Sequence, residues 1–223
     1  MTITRPCAAA HGRVIVMEDD LVTSPHFLRY MNEALELYEN TPEVVSIHGY
    51  CYPIKAGLPE AFFLRGADCW GWATWARGWE LFNPDGAALL AELERRDLVH
   101  EFDYDGSYPY ATMLKNQIAG KNNSWAIRWY ASAFLAEKLT LYPGRSLVHN
   151  TGNDDSGTHA SGTAAYDTEL SDTPIELSAL SAVSPEASAA GRASFVDYFR
   201  AHKRGLLSRF GARLLGFIKR RAA

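Results

Sequence analysis

RVIVMEDDLVTSPHFLRYM, residues 13–31, decides how the chain is read. Val14, Ile15, Val16 and Met17 form an unbroken apolar run without alternation, which predicts a buried, central strand over Arg13–Met17. Glu18, Asp19 and Asp20 follow directly. Ser24-Pro25 then predicts a helix start, Ser as the cap and Pro at the first helical position. The helix should reach about Glu39, with Phe27, Leu28, Tyr30, Met31, Ala34, Leu35 and Leu37 as its apolar stripe, and Asn40-Thr41-Pro42 should end it. VVSIH predicts the next strand within 43–48. Strand, helix and strand in this order form a βαβ unit with a right-handed crossover, so the fold class is α/β.

Three like charges at the end of a buried strand repel one another, and a cation would offset that cost. Mn2+ or Mg2+ takes hard oxygen ligands, often only one or two carboxylates, with phosphate oxygens and water completing the shell. Open α/β sheets bind ligands at the carboxyl ends of their strands, where these acids fall. The competing reading is a solvated loop, or a cap for the coming helix.

Working outward, FFLR predicts a strand over Ala61–Arg65, broken by Gly66-Ala67-Asp68. Helices are expected through TWARGWELF and over residues 86–98, 108–118 and 125–135, with a strand at residues 139–142. Residues 150–165 are rich in Gly, Asn, Asp, Ser and Thr and read as a loop. Residues 178–193 read as a small-residue linker or surface helix, and the chain from Ser194 onward as helical and basic.

The sequence has 223 residues, 47% of them hydrophobic and 12% aromatic, enough for one large core. Cys7, Cys51 and Cys69 lack CxxC spacing, which argues against a zinc site or a disulfide framework and for a reducing compartment. The net charge of −4 hides an asymmetry: residues 201–223 carry 7 bases and no acid, leaving 15 bases against 26 acids, or −11, in the remainder. In that tail, RGLLSRFGARLLGFIKRR interleaves cations with Leu206, Leu207, Phe210, Leu214, Leu215, Phe217 and Ile218. Such a helix suits peripheral contact with an anionic membrane surface, or docks on its own domain. An acidic body and bases confined to one tail exclude a nucleic-acid groove.

VIVMEDDLVTSPHFLRYMNEALELY resembles the acidic (DxD) region of nucleotide-sugar glycosyltransferases of the GT-A fold, both the bacterial family-two-like sugar transferases and the N-acetylglucosaminyltransferases that branch N-glycans. GADCWGWATW and NSWAIRWYA, in that order, extend the likeness over about residues 13–159. The resemblance implies that Asp20 ligates Mn2+ or Mg2+, that Glu18 and Asp19 face the ribose and donor sugar, and that a late histidine, His159, helps to hold the metal or diphosphate. His149 is its rival. It further implies a nucleotide-sugar donor, a glycan or glycolipid acceptor, and a role in bacterial surface-glycan assembly at the inner face of the membrane.

Two features depart from that pattern. The family places an Asp or Glu before the helix at 125–135 as general base, but Asn123 and Ser124 stand there, and an amide cannot accept the proton. Either Asp68, the expected substitute, or Asp105 takes that role, or the base lies elsewhere, or catalysis is impaired. Trp72, beside Asp68 and the close-approach glycine Gly71, is the expected sugar-stacking residue, against a packed aromatic cluster. The second departure is length. Three nucleotide-binding βα units need roughly 90 residues, whereas 12 residues, expected as a disordered leader, precede Arg13. The expectation is therefore a partial GT-A-like domain over residues 13–177, lacking its nucleotide-binding front. Its first strand should present an unpaired edge prone to association. A non-catalytic carbohydrate-binding or scaffold fragment and a metal-dependent phosphoester hydrolase are the alternatives.

Overall fold

The computed structural model describes residues 4–55, 57–153 and 166–202. Their architecture is mixed α/β: a five-stranded mixed sheet flanked by helices, with a two-stranded ribbon beside it. The strands are β1 (Arg13–Val16), β2 (Leu21–Thr23), β3 (Val44–His48), β4 (Ala61–Arg65), β5 (Trp72–Trp75), β6 (Leu139–Pro143) and β7 (Val148–Asn150). The main sheet has the order β1-β5-β3-β6-β4, and β2 pairs with β7.

The first strand is not central. β1 is an edge strand, antiparallel to β5, and Val14, Ile15 and Val16 are only half-buried. β3 also runs antiparallel to β5, so β1 and β3 point the same way with β5 between them. The parallel pair of the sheet is β3 with β6. An apolar run reports that a strand packs; it does not report which neighbour completes its backbone hydrogen bonds.

Residues 4–11, expected as a disordered leader, form helix α1 (Thr4–His11). Helix α2 (Phe27–Leu37) starts later than predicted: Ser24 Oγ accepts a hydrogen bond from the His26 amide, and Pro25 sits in the turn before the helix. Phe27, Tyr30, Met31, Ala34 and Leu35 are buried, the i, i+3, i+4 stripe of an amphipathic helix. Leu28 and Leu37, assigned to that stripe, are exposed. Trp75 Nε1 donates to the Leu35 carbonyl at 3.2 Å and fastens α2 to the sheet.

TWARGWELF is not one helix. Trp72–Trp75 is β5, and only Ala76–Trp79 is helical, α3. Alternation explains the strand: Ala73 and Trp75 face the main core, while Trp72 joins a second cluster with Val45, Ala67, Trp79, Trp129 and Ala133. Helices α4 (Gly86–Arg95), α5 (Val99–Phe102), α6 (Tyr110–Ile118) and α7 (Ala126–Leu135) follow. Helix α7 contributes Tyr130 and Phe134 to the main core and Trp129 to the second, so it is buried nearly all round.

The stretch read as a linker contains α8 (Leu177–Ser181) and then α9, a helix over residues 189–202. Phe195, Val196 and Phe199 of α9 are buried against the domain. The basic tail beyond 202 lies outside the described residues. Among the described residues, no helix is long and apolar enough to cross a membrane.

Candidate functional site

Sheet register brings the acids to one place. Val16, the last residue of β1, pairs with Trp72, the first of β5, and His48, the last of β3, pairs with the same Trp72. The residues following β1 and those preceding β5 therefore meet at one rim of the sheet. There Glu18, Asp19, Asp20 and Asp68 line a single cavity of about 970 Å³. Tyr52, Trp70, Tyr108, Tyr110, Trp125, Tyr130 and Tyr166 supply its aromatic wall, and Asn122, Asn123, Ser124 and Asn150 its polar groups.

The acidic loop is clamped at both ends. It runs from β1 to β2, and β2 is held by β7. The Asp20 carbonyl accepts hydrogen bonds from the Thr151 amide and hydroxyl, each at 2.9 Å. Glu18 is pushed up to about 7, first by burial and then by the charges of Asp20, Asp68 and Asp19. Burial is the larger cause, and the neighbouring carboxylates add to it.

Asp68 reaches the cavity through a glycine turn. Gly66, with φ of +107°, lies against the Tyr130 ring so closely that a Cβ would overlap it. The Gly66 amide donates to the Lys138 carbonyl, and its own carbonyl accepts from Thr140 Oγ1 at 2.7 Å. Beyond the turn, Asp68 Oδ1 accepts the Cys69 amide at 2.8 Å and Oδ2 accepts the Tyr142 hydroxyl at 3.5 Å. Burial first, then Asp68 and Glu18, push the cavity-lining Cys69 thiol well above its usual range, so it is a neutral wall group.

The other candidates separate. Trp72 is 0% exposed, packs against Trp79, Trp125 and Trp129, and does not line the cavity. It is a core residue, corrected from the sugar-stacking role; Trp70 and Trp125 are the indoles on the wall. Asp105 is engaged elsewhere: both its oxygens accept from Arg192, at 2.7 and 2.9 Å. His149 Nδ1 lies 2.9 Å from the Thr168 carbonyl, away from the lining, and His159 lies outside the described residues. Asn123 and Ser124 do line the cavity. The tyrosines of the wall, and His48 behind it, have no signal in the sequence, because they come from segments far apart in the chain and no local spacing records their convergence.

Among the described residues, no three His, Cys, Asp or Glu side chains converge as a ligand set. An ion held by one or two carboxylates, with diphosphate oxygens and water, is compatible with that arrangement. No protein-family model matches the chain, and no curated protein matches it.

Proposed function

We propose that this chain carries the catalytic acids of a GT-A-like, metal-dependent glycosyltransferase, which moves a sugar from a nucleoside-diphosphate donor to an acceptor hydroxyl. The observation that carries this reading is the pairing of Val16 with Trp72, which sets the acidic trio beside Asp68 in one aromatic-walled cavity. Asp20 would hold Mn2+ or Mg2+, which when bound neutralises the diphosphate and stabilises its departure. Glu18 and Asp19 orient the donor's hydroxyls as acceptors. Sugar C–H faces stack on Trp70, Trp125 and the tyrosines. Asp68 takes the acceptor's proton as the new C–O bond forms and the anomeric C–O bond breaks, its electron pair leaving with the diphosphate. A glycan or glycolipid acceptor, bacterial surface-glycan assembly and contact of the basic tail with the cytoplasmic membrane face belong to the same reading.

Calorimetry with UDP and Mn2+ tests it. Binding heat should require the metal and should vanish in Asp20→Ala while the thermal melt is retained. UDP heat that is indifferent to Mn2+ and to Asp20 overturns the reading. A sugar-binding module without turnover is the second reading, favoured by Asn123 and Ser124 where a transferase of this kind carries its base. Such a module would bind oligosaccharide and give no metal-dependent UDP heat.

A further inference from the structure

His48 is the least explained polar side chain near the cavity. It is 0% exposed, and neither ring nitrogen has a hydrogen-bond partner in the structure. Buried polar groups are nearly always satisfied, and leaving one unpaired is costly. The ring is wedged between Tyr142, with centroids 5.0 Å apart, and Tyr50, at 6.3 Å. Its Nε2 lies 3.6 Å from Asp68 Oδ2, just outside hydrogen-bond range. Asp68 is the member of this pair that lines the cavity; His48 stands behind it.

Of the two neutral tautomers, Nε2–H aims a donor at the carboxylate, whereas Nδ1–H would aim a lone pair at it. Burial disfavours the imidazolium and lowers the His48 pKa, with the Asp68 charge opposing that effect. Oδ1 is already held by the Cys69 amide at 2.8 Å, while Oδ2 has only the long 3.5 Å contact from Tyr142. One further donor on Oδ2 would fix the carboxylate plane.

We infer that His48 is a positioning residue for Asp68: as the neutral Nε2–H tautomer it donates to Oδ2 and fixes the carboxylate that faces the acceptor. The donor–acceptor geometry rests on the structure alone; the acceptor role of Asp68 rests on the transferase reading. A shift of a few tenths of an ångström converts the 3.6 Å approach into a hydrogen bond.

The test has two arms. In 15N-histidine-labelled full chain, two-bond 1H–15N spectra read the tautomer of each ring, and the His48 signal is assigned as the one absent in His48→Gln. Wild type should show Nε2 protonated and Nδ1 bare. Asp68→Ala should move both nitrogen shifts towards a tautomer mixture. A bare Nε2 in wild type, or shifts unchanged in Asp68→Ala, overturns the inference. In a UDP-sugar transfer assay, His48→Leu should lower kcat by about 10- to 100-fold with donor KM unchanged. His48→Gln, whose amide nitrogen replaces Nε2, should recover most of it. Equal losses in Gln and Leu variants overturn positioning. Absence of transfer by wild type sinks the transferase reading, while the tautomer measurement still decides the contact.

Discussion

Gly152 lies so close to Asp20 that a methyl group built on its Cα would overlap the Asp20 carboxylate. The contact ties the acidic loop to the turn after β7, where the Gly152 amide also donates to Asn150 Oδ1 at 2.8 Å. The absence of a side chain at 152 therefore sets where Asp20 can sit. Gly152→Ala should push that carboxylate aside while leaving the core untouched. The expected outcome is a loss of Mn2+ affinity of about 10- to 100-fold with little change in Tm, read by calorimetry. Unchanged affinity would free Asp20 from the assigned role.

Glu18 makes stability fall as pH rises. Its folded pKa, about 7, lies above the ordinary 4.5 because burial and the charges of Asp20, Asp68 and Asp19 disfavour the carboxylate. Below pH 4.5 both states hold the proton and Glu18 is neutral to folding; between 4.5 and 7 the unfolded chain releases it first, so stability declines across that window and stays reduced above it. Allowing for solvent screening of a half-exposed group, the loss is about 1–2 kcal/mol. Glu18→Gln should therefore be the more stable protein at pH 8 by that amount, and equal to wild type at pH 4, by urea denaturation. A divalent cation should reverse the effect in wild type and release a proton near neutral pH.

The two candidate bases should part cleanly on substitution. Asp105 is anchored by Arg192, whose hydrogen bonds and charge hold its carboxyl below the ordinary carboxylate range, and the Arg192 guanidinium sits 5.6 Å over the Tyr104 ring. The pair pins α9 to the loop after α5. Asp105→Asn should cost about 1 kcal/mol of stability, discounted for its exposure, and leave any transfer activity intact. Asp68→Asn should abolish turnover and keep the melt. The opposite pattern would move the base to Asp105.

Much of the secondary structure was legible in the sequence, and most of the sheet's topology was not. Ala61–Arg65 is a strand at the predicted bounds, and α7 starts one residue late, at Ala126. These segments carry their own punctuation: Gly66 closes the first, and Asn122 and Ser124 open the second. TWARGWELF misled because Trp72, Trp75 and Trp79 recur at the helical intervals of three and four. In fact the first two lie on opposite faces of one strand between two cores, a pattern whose period is two. The edge position of β1 was hidden for a different reason: its partner, β5, is more than 50 residues away in the chain. The acids and Asp68 were visible as candidates, but their convergence follows from the pairing of Val16 with Trp72, a long-range contact that no local pattern encodes.

The tryptophans of GADCWGWATW supply a last discrimination between wall and core. Trp70 is half-buried on the cavity lining, its ring 4.8 Å from Tyr50 and 5.6 Å from Tyr166. Two residues on, Trp72 is enclosed by three other indoles, and its Nε1 has no hydrogen-bond partner. Trp72→Ala removes a wholly buried ring and should cost about 3–5 kcal/mol. Trp72→Phe should cost less, because it also removes a buried donor that has nothing to donate to. Trp70→Ala should fold with a near-normal Tm and lose sugar binding, measured as ligand-induced quenching of the remaining tryptophans. If instead Trp72→Phe abolished sugar binding while Trp70→Ala preserved it, the aromatic wall would have to be redrawn around the inner cluster.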